Sequence, residues 1–164
     1  QWMNGEYIRQ TPIDELVKLA MPFLEKAGLV GLPGPDFKKT VALEQEKFKL
    51  LSDIPILVEF FYKPVQFSAK AMDKVLKVPG VKQILLDLAD ALKDFAPFED
   101  KALEARIRKF CEEKALKVGQ AFHPLRAAVT GRTEGPTLFL MLEIMGKDQV
   151  LARLKDAAAL DPYF

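Results

Sequence analysis

Apolar residues in this chain recur at intervals of three or four positions, and this spacing constrains the fold more than any other feature of the sequence. Such spacing places apolar side chains along one face of an α-helix. Sustained alternation of apolar and polar residues, which marks a half-buried β-strand, is scarce, and Leu and Ala greatly outnumber the β-branched residues. The chain is therefore predicted to be all-α. One such stripe comprises Val81, Ile84, Leu85, Leu88, Leu92 and Phe95.

Glycine and proline divide the first part of this pattern into separate helices. Thr11, followed by Pro12, is predicted to cap a helix that ends at Gly28. Two further helices are predicted over about residues 36–51 and 52–62. Lys63 and Pro64 end the third, because the residue before a proline avoids the α region. This break predicts a boundary between two small helical subdomains, residues 1–64 and 65–164.

The second part of the chain follows the same pattern. Helices are predicted at about residues 68–76, 118–130, 136–145 and 147–160, in addition to the stripe that begins at Val81 and a stripe formed by Leu103, Ile107, Phe110 and Cys111. Within residues 118–130, Pro124 either kinks the helix or marks its true first turn. Pro136 is predicted to open the next helix after a loop at residues 131–135.

Residues that carry catalytic chemistry are rare in this sequence. Cys111 and His123 are the single cysteine and the single histidine, which excludes an internal disulfide, a multi-cysteine zinc or iron–sulfur site and a His-rich metal site. Ser52 and Ser68 are the only serines, and they do not support a Ser/His/Asp triad. Cys111 could pair with His123 as a nucleophile, but it continues an apolar stripe and is interpreted as a core residue. We predict no catalytic residue and no metal ligand.

Charge is unevenly distributed along the chain. The 24 basic and 23 acidic side chains nearly balance, and the pI of about 8.0 lies below the value of about 9 that is typical of nucleic-acid-binding domains. However, residues 101–132 hold eight basic and three acidic residues. The arginines of this basic stretch lie on predicted helices and in a loop that leads into a helix N-terminus, where N–H groups suit a phosphate or a base edge. On charge alone, an ordinary solvated helix face remains the alternative.

Two segments carry a resemblance to a known family. Residues 122–136, with Pro124-Leu125-Arg126 followed by Thr130-Gly131, and then residues 142–147 and 153–154, resemble the C-terminal end of bacterial-type glutamyl-tRNA synthetases. Residues 2–9, which begin Trp2-Met3-Asn4, are similar to the segment by which that family enters its anticodon-binding part. The two segments occur in the family's order and at about its separation.

The resemblance implies a pair of all-helical subdomains, an α-helical cage, that grips the anticodon stem-loop of tRNA(Glu). It also implies a catalytic Rossmann domain of the same parent chain, N-terminal to Gln1. The family's His-x-Gly-His and Lys-x-Ser-Lys motifs do not occur in this sequence. This chain alone is therefore expected to form no aminoacyl-adenylate and to hold no cofactor, with ATP and Mg expected only in the missing catalytic domain. A cytoplasmic monomer without membrane association is expected, and no apolar run reaches the ~18 residues of a membrane span.

The resemblance further implies which residues contact the anticodon. Arg126 takes the arginine of the Pro-Leu-Arg motif, and its guanidinium is expected to project outward from an apolar stripe that holds its stem. Lys47 takes the position that reads the third anticodon base; because lysine is a point charge, discrimination between tRNA(Glu) and tRNA(Gln) stays open. The implied set is Lys47, Arg108, Arg126, Arg132, Gly135, Pro136 and Leu138.

Several of these residues have a structural alternative. Leu138 could be a core residue, Pro136 a helix-starting residue and Arg108 a surface ion-pair partner. Gly135 replaces a residue that is often larger in the family, so a side-chain contact is not expected there. A helical protein-interaction module related to the anticodon-binding domain is the second functional hypothesis, and an independent enzyme is the third.

Overall fold

The computed structural model describes residues 4–160, and within this range the protein is all-α, as predicted from the spacing of apolar residues. The described residues form ten α-helices: α1 Gly5–Gln10, α2 Ile13–Lys26, α3 Phe37–Glu44, α4 Asp53–Val58, α5 Ala69–Ala71, α6 Val81–Lys93, α7 Asp100–Glu113, α8 Val118–Thr130, α9 Leu138–Met145 and α10 Lys147–Ala158. Short 3₁₀ turns at Gln45–Lys47 and Glu59–Phe61 follow α3 and α4, and a π-helical turn, Met72–Leu76, continues α5. Trp2 and Met3 of the resembling N-terminal segment lie outside the described residues.

The chain divides into two compact units between Pro64 and Val65. The first unit contains α1 to α4, and the second contains α5 to α10. That each unit is an anticodon-binding subdomain stays a prediction. Within residues 4–160, no helix combines the length and the apolar character that crossing a bilayer requires.

The first unit is organised around the buried side chains of α2 and α4. Leu16 and Leu24 on α2, and Ile54 on α4, are fully buried. The side-chain amide of Gln45 donates to the carbonyl oxygens of Ile8 (2.8 Å) and Thr11 (2.9 Å), which ties the end of α1 to the 3₁₀ turn after α3. The Gln45 amide therefore links the C-terminal end of α1 to the turn that follows α3.

A hydrogen-bonded tyrosine closes the other side of this unit. The Tyr62 hydroxyl donates to the Pro35 carbonyl (2.8 Å) and lies 2.8 Å from the Thr40 hydroxyl. Burial raises the pKa of Tyr62 to about 12, with the hydrogen bond to Thr40 opposing the shift. A Cβ at Gly34 would lie 2.5 Å from the Tyr62 ring, so only glycine leaves room for it.

Two helix boundaries in the first unit differ from the predictions. Thr11 does not cap α2, because its hydroxyl donates back to the Tyr7 carbonyl of α1 (2.6 Å), and Pro12 takes the N-cap position. The helix predicted over residues 36–51 ends at Glu44 and is followed by the 3₁₀ turn Gln45–Lys47, because Phe48 then turns to an extended conformation and is fully buried. Side-chain burial therefore ends this helix earlier than the sequence pattern indicates.

In the second unit α6 packs against α8 and α10, and α7 packs against α9. Arg153 of α10 is buried, and its guanidinium donates to the Val129 carbonyl near the end of α8 (2.6 Å). Desolvation by burial lowers the pKa of Arg153 to about 10. This bond ties α10 to the last turn of α8, from which the candidate site begins.

Most helix boundaries in this unit match the predictions, and the differences lie near residue 136 and at the end of the last helix. Pro124 lies inside α8, so the alternative in which it marks the first turn is wrong. The helix predicted to open at Pro136 begins at Leu138, with Thr137 as its N-cap. The last helix ends at Ala158, two residues earlier than predicted.

Candidate nucleic-acid interface

The candidate site centres on the 131–137 loop, which connects α8 to α9. Gly131 begins the loop with φ +76°, a conformation that side chains disfavour, and a Cβ there would collide with the backbone carbonyl of Gln66. The Ser68 backbone N–H donates to the Gly131 carbonyl (2.8 Å). The start of the loop is therefore fixed against the segment that precedes α5, and this position requires glycine.

A buried hydroxyl fixes the next residue of the loop. Thr130, which is 2% exposed, donates its hydroxyl hydrogen to the Arg126 carbonyl (2.8 Å) and accepts from the Arg132 backbone N–H (3.0 Å). The Arg132 side chain is half-buried in the loop. Thr130 thus ends α8 and sets the direction in which the chain leaves it.

Arg126 fixes the far end of the same loop. Its Nη1 donates to the Pro136 carbonyl oxygen at 2.7 Å. A Cβ at Gly135 would lie 2.9 Å from that same nitrogen, so the absence of a side chain at Gly135 leaves the space that the guanidinium occupies. The expectation that the guanidinium projects outward is therefore wrong, because it lies against the loop and is half-buried.

An aromatic cluster lies beside this loop, where α7, α8 and α9 meet. The Arg108 guanidinium lies 5.4 Å from the centroid of the Phe122 ring, within the range of a cation–π contact. Phe122 in turn meets the Phe139 ring edge-on, with centroids 5.1 Å apart. The Arg108 Nε also pairs with Glu104 (3.0 Å), and the side chain remains 52% exposed. Arg108 therefore forms the predicted ion pair and also packs against an aromatic ring.

The remaining residues of the implied set have different environments. Pro136 is buried and contributes its carbonyl to Arg126, and it lies before the N-cap of α9. Leu138 is only 6% exposed, which favours the core alternative for its side chain. Lys47 belongs to the first unit, where its Nζ lies 3.9 Å from the buried carboxylate of Glu44. The structure thus brings Arg126, Gly135 and Pro136 into one contact group, with Arg108 beside it on the cluster with Phe122.

Apart from Arg126 and Arg132 of the site itself, the six remaining cations of the basic stretch fall into two groups. Arg106, Arg108 and Lys114 form ion pairs with Glu113 (3.2 Å), Glu104 (3.0 Å) and Asp87 (3.8 Å). In contrast, Lys101, Lys109 and Lys117 are exposed and form no ion pair with any residue in the described range 4–160. These three lysines are therefore available to anionic groups outside the chain.

The side chain of Cys111 on α7 is buried, whereas that of His123 on α8 is exposed. Burial raises the pKa of the Cys111 thiol, with the nearby charge of Arg108 opposing the shift, so the thiolate that nucleophilic chemistry requires is disfavoured. Across residues 4–160, no three His, Cys, Asp or Glu side chains are grouped as ligands of a metal ion would be.

Sequence reasoning missed two features of the site. Phe122 belongs to the apolar stripe beside Arg126, and the sequence pattern does not show that its ring also supports Arg108. The spacing does indicate that Phe122 lies near Arg126, because the two residues are four positions apart and share one face of α8. The contact of Gly131 with Gln66 had no such signal, because the two residues are distant in sequence.

Comparisons with known proteins agree on one family. Residues 15–158 match the family described as anticodon binding domain. The chain is 44% identical over 165 residues to a glutamate–tRNA ligase of Elusimicrobium minutum, covering 96% of this chain and 33% of that protein. It is 34% identical to a glutamate–tRNA ligase of Moorella thermoacetica, again over 96% of this chain and 33% of that protein. The chain therefore spans about a third of the length of these relatives.

Solved structures of similar fold come from the same kind of protein. A glutamate–tRNA ligase from Elizabethkingia meningosepticum, in complex with its amino acid, superposes with a TM-score of 0.82 at 23% identity, covering 94% of this chain and 30% of that one. The glutamate–tRNA synthetase of Elizabethkingia anophelis superposes with a TM-score of 0.78 at 22% identity, covering 96% and 30%. At these identities the likeness concerns the fold. The comparisons do not favour the alternative of a protein-interaction module.

Proposed function

Because this chain belongs to the anticodon-binding domain family of glutamate–tRNA ligases, we propose that it binds the anticodon stem-loop of tRNA(Glu). The longer parent protein is proposed to attach glutamate to tRNA(Glu). This activity is proposed to require the part of the parent protein that the present chain does not span. ATP and Mg are proposed to bind in that part. The parent chain's catalytic domain is accordingly the second proposed partner, and the proposed location is the cytoplasm.

The observation that carries this proposal is the anchored 131–137 loop beside the supported Arg108. Anticodon bases are single-stranded and splayed, so proteins read their edges and pack side chains against their faces. Such reading is strongest when the reading groups are held in place before binding, because less ordering is then needed. Here Gly131 and Arg126 fix both ends of the loop, and Phe122 holds the planar guanidinium of Arg108.

The cations of α7 supply the second element of an RNA site. Lys101 and Arg108 are seven residues apart and therefore lie on the same face of α7. Lys101 and Lys109 are exposed and unpaired within the described residues, so we assign them to phosphates, which carry no sequence information. Arg108, Arg132 and the loop backbone are assigned to bases. Arg126 is assigned to support of the loop, and Lys47 of the first unit to a single hydrogen bond with the third base.

A titration with RNA tests the proposal. The 164-residue chain is titrated with the anticodon stem-loop of tRNA(Glu), and with the same stem-loop carrying a substituted anticodon as matched control. We expect tighter binding of the natural anticodon by at least about tenfold, because each lost base contact costs roughly 1–3 kcal/mol. Equal affinities would refute base reading in favour of phosphate contacts alone, and no binding of either RNA would refute the proposal.

A further inference from the structure

A cavity of about 460 Å³ lies in the second unit, among the π-helical turn Met72–Leu76, the start of α6 and the start of α8. Its apolar lining consists of Val75, Val78, Pro79, Val81, Ile84 and Pro124. None of the residues assigned above to RNA lines it. Its size falls within the range of about 300–1,000 Å³ that small-molecule sites occupy in proteins.

The polar groups of this cavity are cationic or neutral. Lys74 and Lys117 line it together with Gln120 and His123, and no acidic residue between positions 4 and 160 does. Both lysines are exposed, and neither forms an ion pair with another residue of the described chain. The Lys117 backbone N–H is bonded to the Gln120 side chain (2.8 Å), which leaves the Lys117 ammonium group as its charged donor at the cavity. The cavity therefore has a positive rim that a ligand of opposite charge would complement.

Glycine at position 119 shapes the wall formed by α8. A Cβ at Gly119 would lie 3.2 Å from Cδ2 of the His123 ring, a closer approach than most side chains tolerate. The imidazole can therefore lie along the first turn of α8, at the edge of the cavity. Its ring is one of the groups that line the cavity.

We propose that this cavity binds a small organic anion with an apolar body. The apolar part of the ligand lies against Val75 and Ile84, and its anionic group pairs with Lys74 and Lys117. A purely apolar ligand would leave the two ammonium groups unused, and a small inorganic anion would leave the apolar wall exposed to water. The proposal does not depend on RNA binding, since it concerns other residues of the second unit.

Three probes separate the contributions of charge and apolar surface. The isotopically labelled chain is titrated with 4-phenylbutyrate, with the uncharged 4-phenylbutan-1-ol and with inorganic phosphate, while backbone amide resonances are followed. We expect saturable shifts confined to residues 74–84 and 117–123, with the acid binding roughly tenfold more tightly than the alcohol. Equal affinity of the alcohol, equal affinity of phosphate, or shifts elsewhere in the chain would each overturn the proposal.

Variants test the assignment of the two lysines. The double variant Lys74→Gln/Lys117→Gln is expected to weaken binding of 4-phenylbutyrate about tenfold and to leave the alcohol unchanged. Lys109→Gln, which removes an exposed lysine that does not line the cavity, is the matched control and is expected to change neither. Unchanged binding of the acid by the double variant would overturn the proposal. RNA affinity is measured separately, so failure of one proposal is distinguishable from failure of the other.

Discussion

Replacement of Arg126 by methionine tests whether this residue supports the 131–137 loop. Methionine keeps an unbranched apolar stem but removes the guanidinium that donates to the Pro136 carbonyl at 2.7 Å. A hydrogen bond from a charged donor contributes roughly 1.5–3 kcal/mol. Because this bond is only partly buried, we expect the lower end, about 1.5–2 kcal/mol. For a chain of this size that loss corresponds to a fall in Tm of about 3–8 °C.

The same variant distinguishes loop support from direct base reading. If Arg126 supports the loop, Arg126→Met lowers both the Tm and the affinity for the anticodon stem-loop, the latter roughly fivefold to tenfold, because the loop must be ordered on binding. If Arg126 only contacted a base, affinity would fall while the Tm stayed unchanged. Thermal unfolding followed by circular dichroism and an RNA titration supply the two measurements.

A matched control and a spectroscopic readout complete this experiment. Lys109→Met removes an exposed cation without an ion pair in the described chain, so its Tm is expected to change by less than about 2 °C. In Arg126→Met, the amide resonances of residues 132–135 are expected to shift, whereas in Lys109→Met they are not. An unchanged Tm together with unchanged loop resonances in Arg126→Met would refute the role assigned to the bond with Pro136.

Three further substitutions have outcomes that follow from the structure. Gly131→Ala is expected to destabilise the chain by at least about 2 kcal/mol in urea unfolding, because it adds a collision with Gln66 to a positive φ, whereas Gly80→Ala, with φ +89° but open space around it, is expected to cost about 1 kcal/mol. Equal losses would show that the collision is relieved. Lys109→Gln is expected to weaken binding of natural and substituted stem-loops alike and to reduce the salt slope by about one; a loss confined to one anticodon would contradict the phosphate assignment. Burial raises the pKa of Tyr62 to about 12, so the stability that its protonated hydroxyl supplies is complete below the unfolded pKa of about 10 and is lost as the pH rises towards 12. The free energy of unfolding, measured in urea between pH 9 and 11, is therefore expected to fall more steeply in the parent than in Tyr62→Phe. Parallel declines would contradict this.

The sequence was most informative where structure depends on neighbouring residues. Leu85, Leu88 and Leu92 are buried on one face of α6 as their spacing predicts, and Cys111 is buried with the apolar stripe of α7. Predictions failed where a distant group intervened. Thr11 had the chemistry of an N-cap, but its hydroxyl donates to the Tyr7 carbonyl, and the helix after residue 36 stops because Phe48 is drawn into the core.

The sequence by itself determined the all-helical class, most helix positions and the resemblance that led to the candidate site, because helical periodicity and motif spacing are local properties of the chain. Only the tertiary structure decided what each arginine of that site contacts. The Arg126 guanidinium meets Pro136, ten residues away, in a space that Gly135 leaves open, and Arg108 lies over a ring from another helix. The partners of a long, flexible cation depend on which backbone and rings the folded chain brings within reach, and no local spacing specifies them.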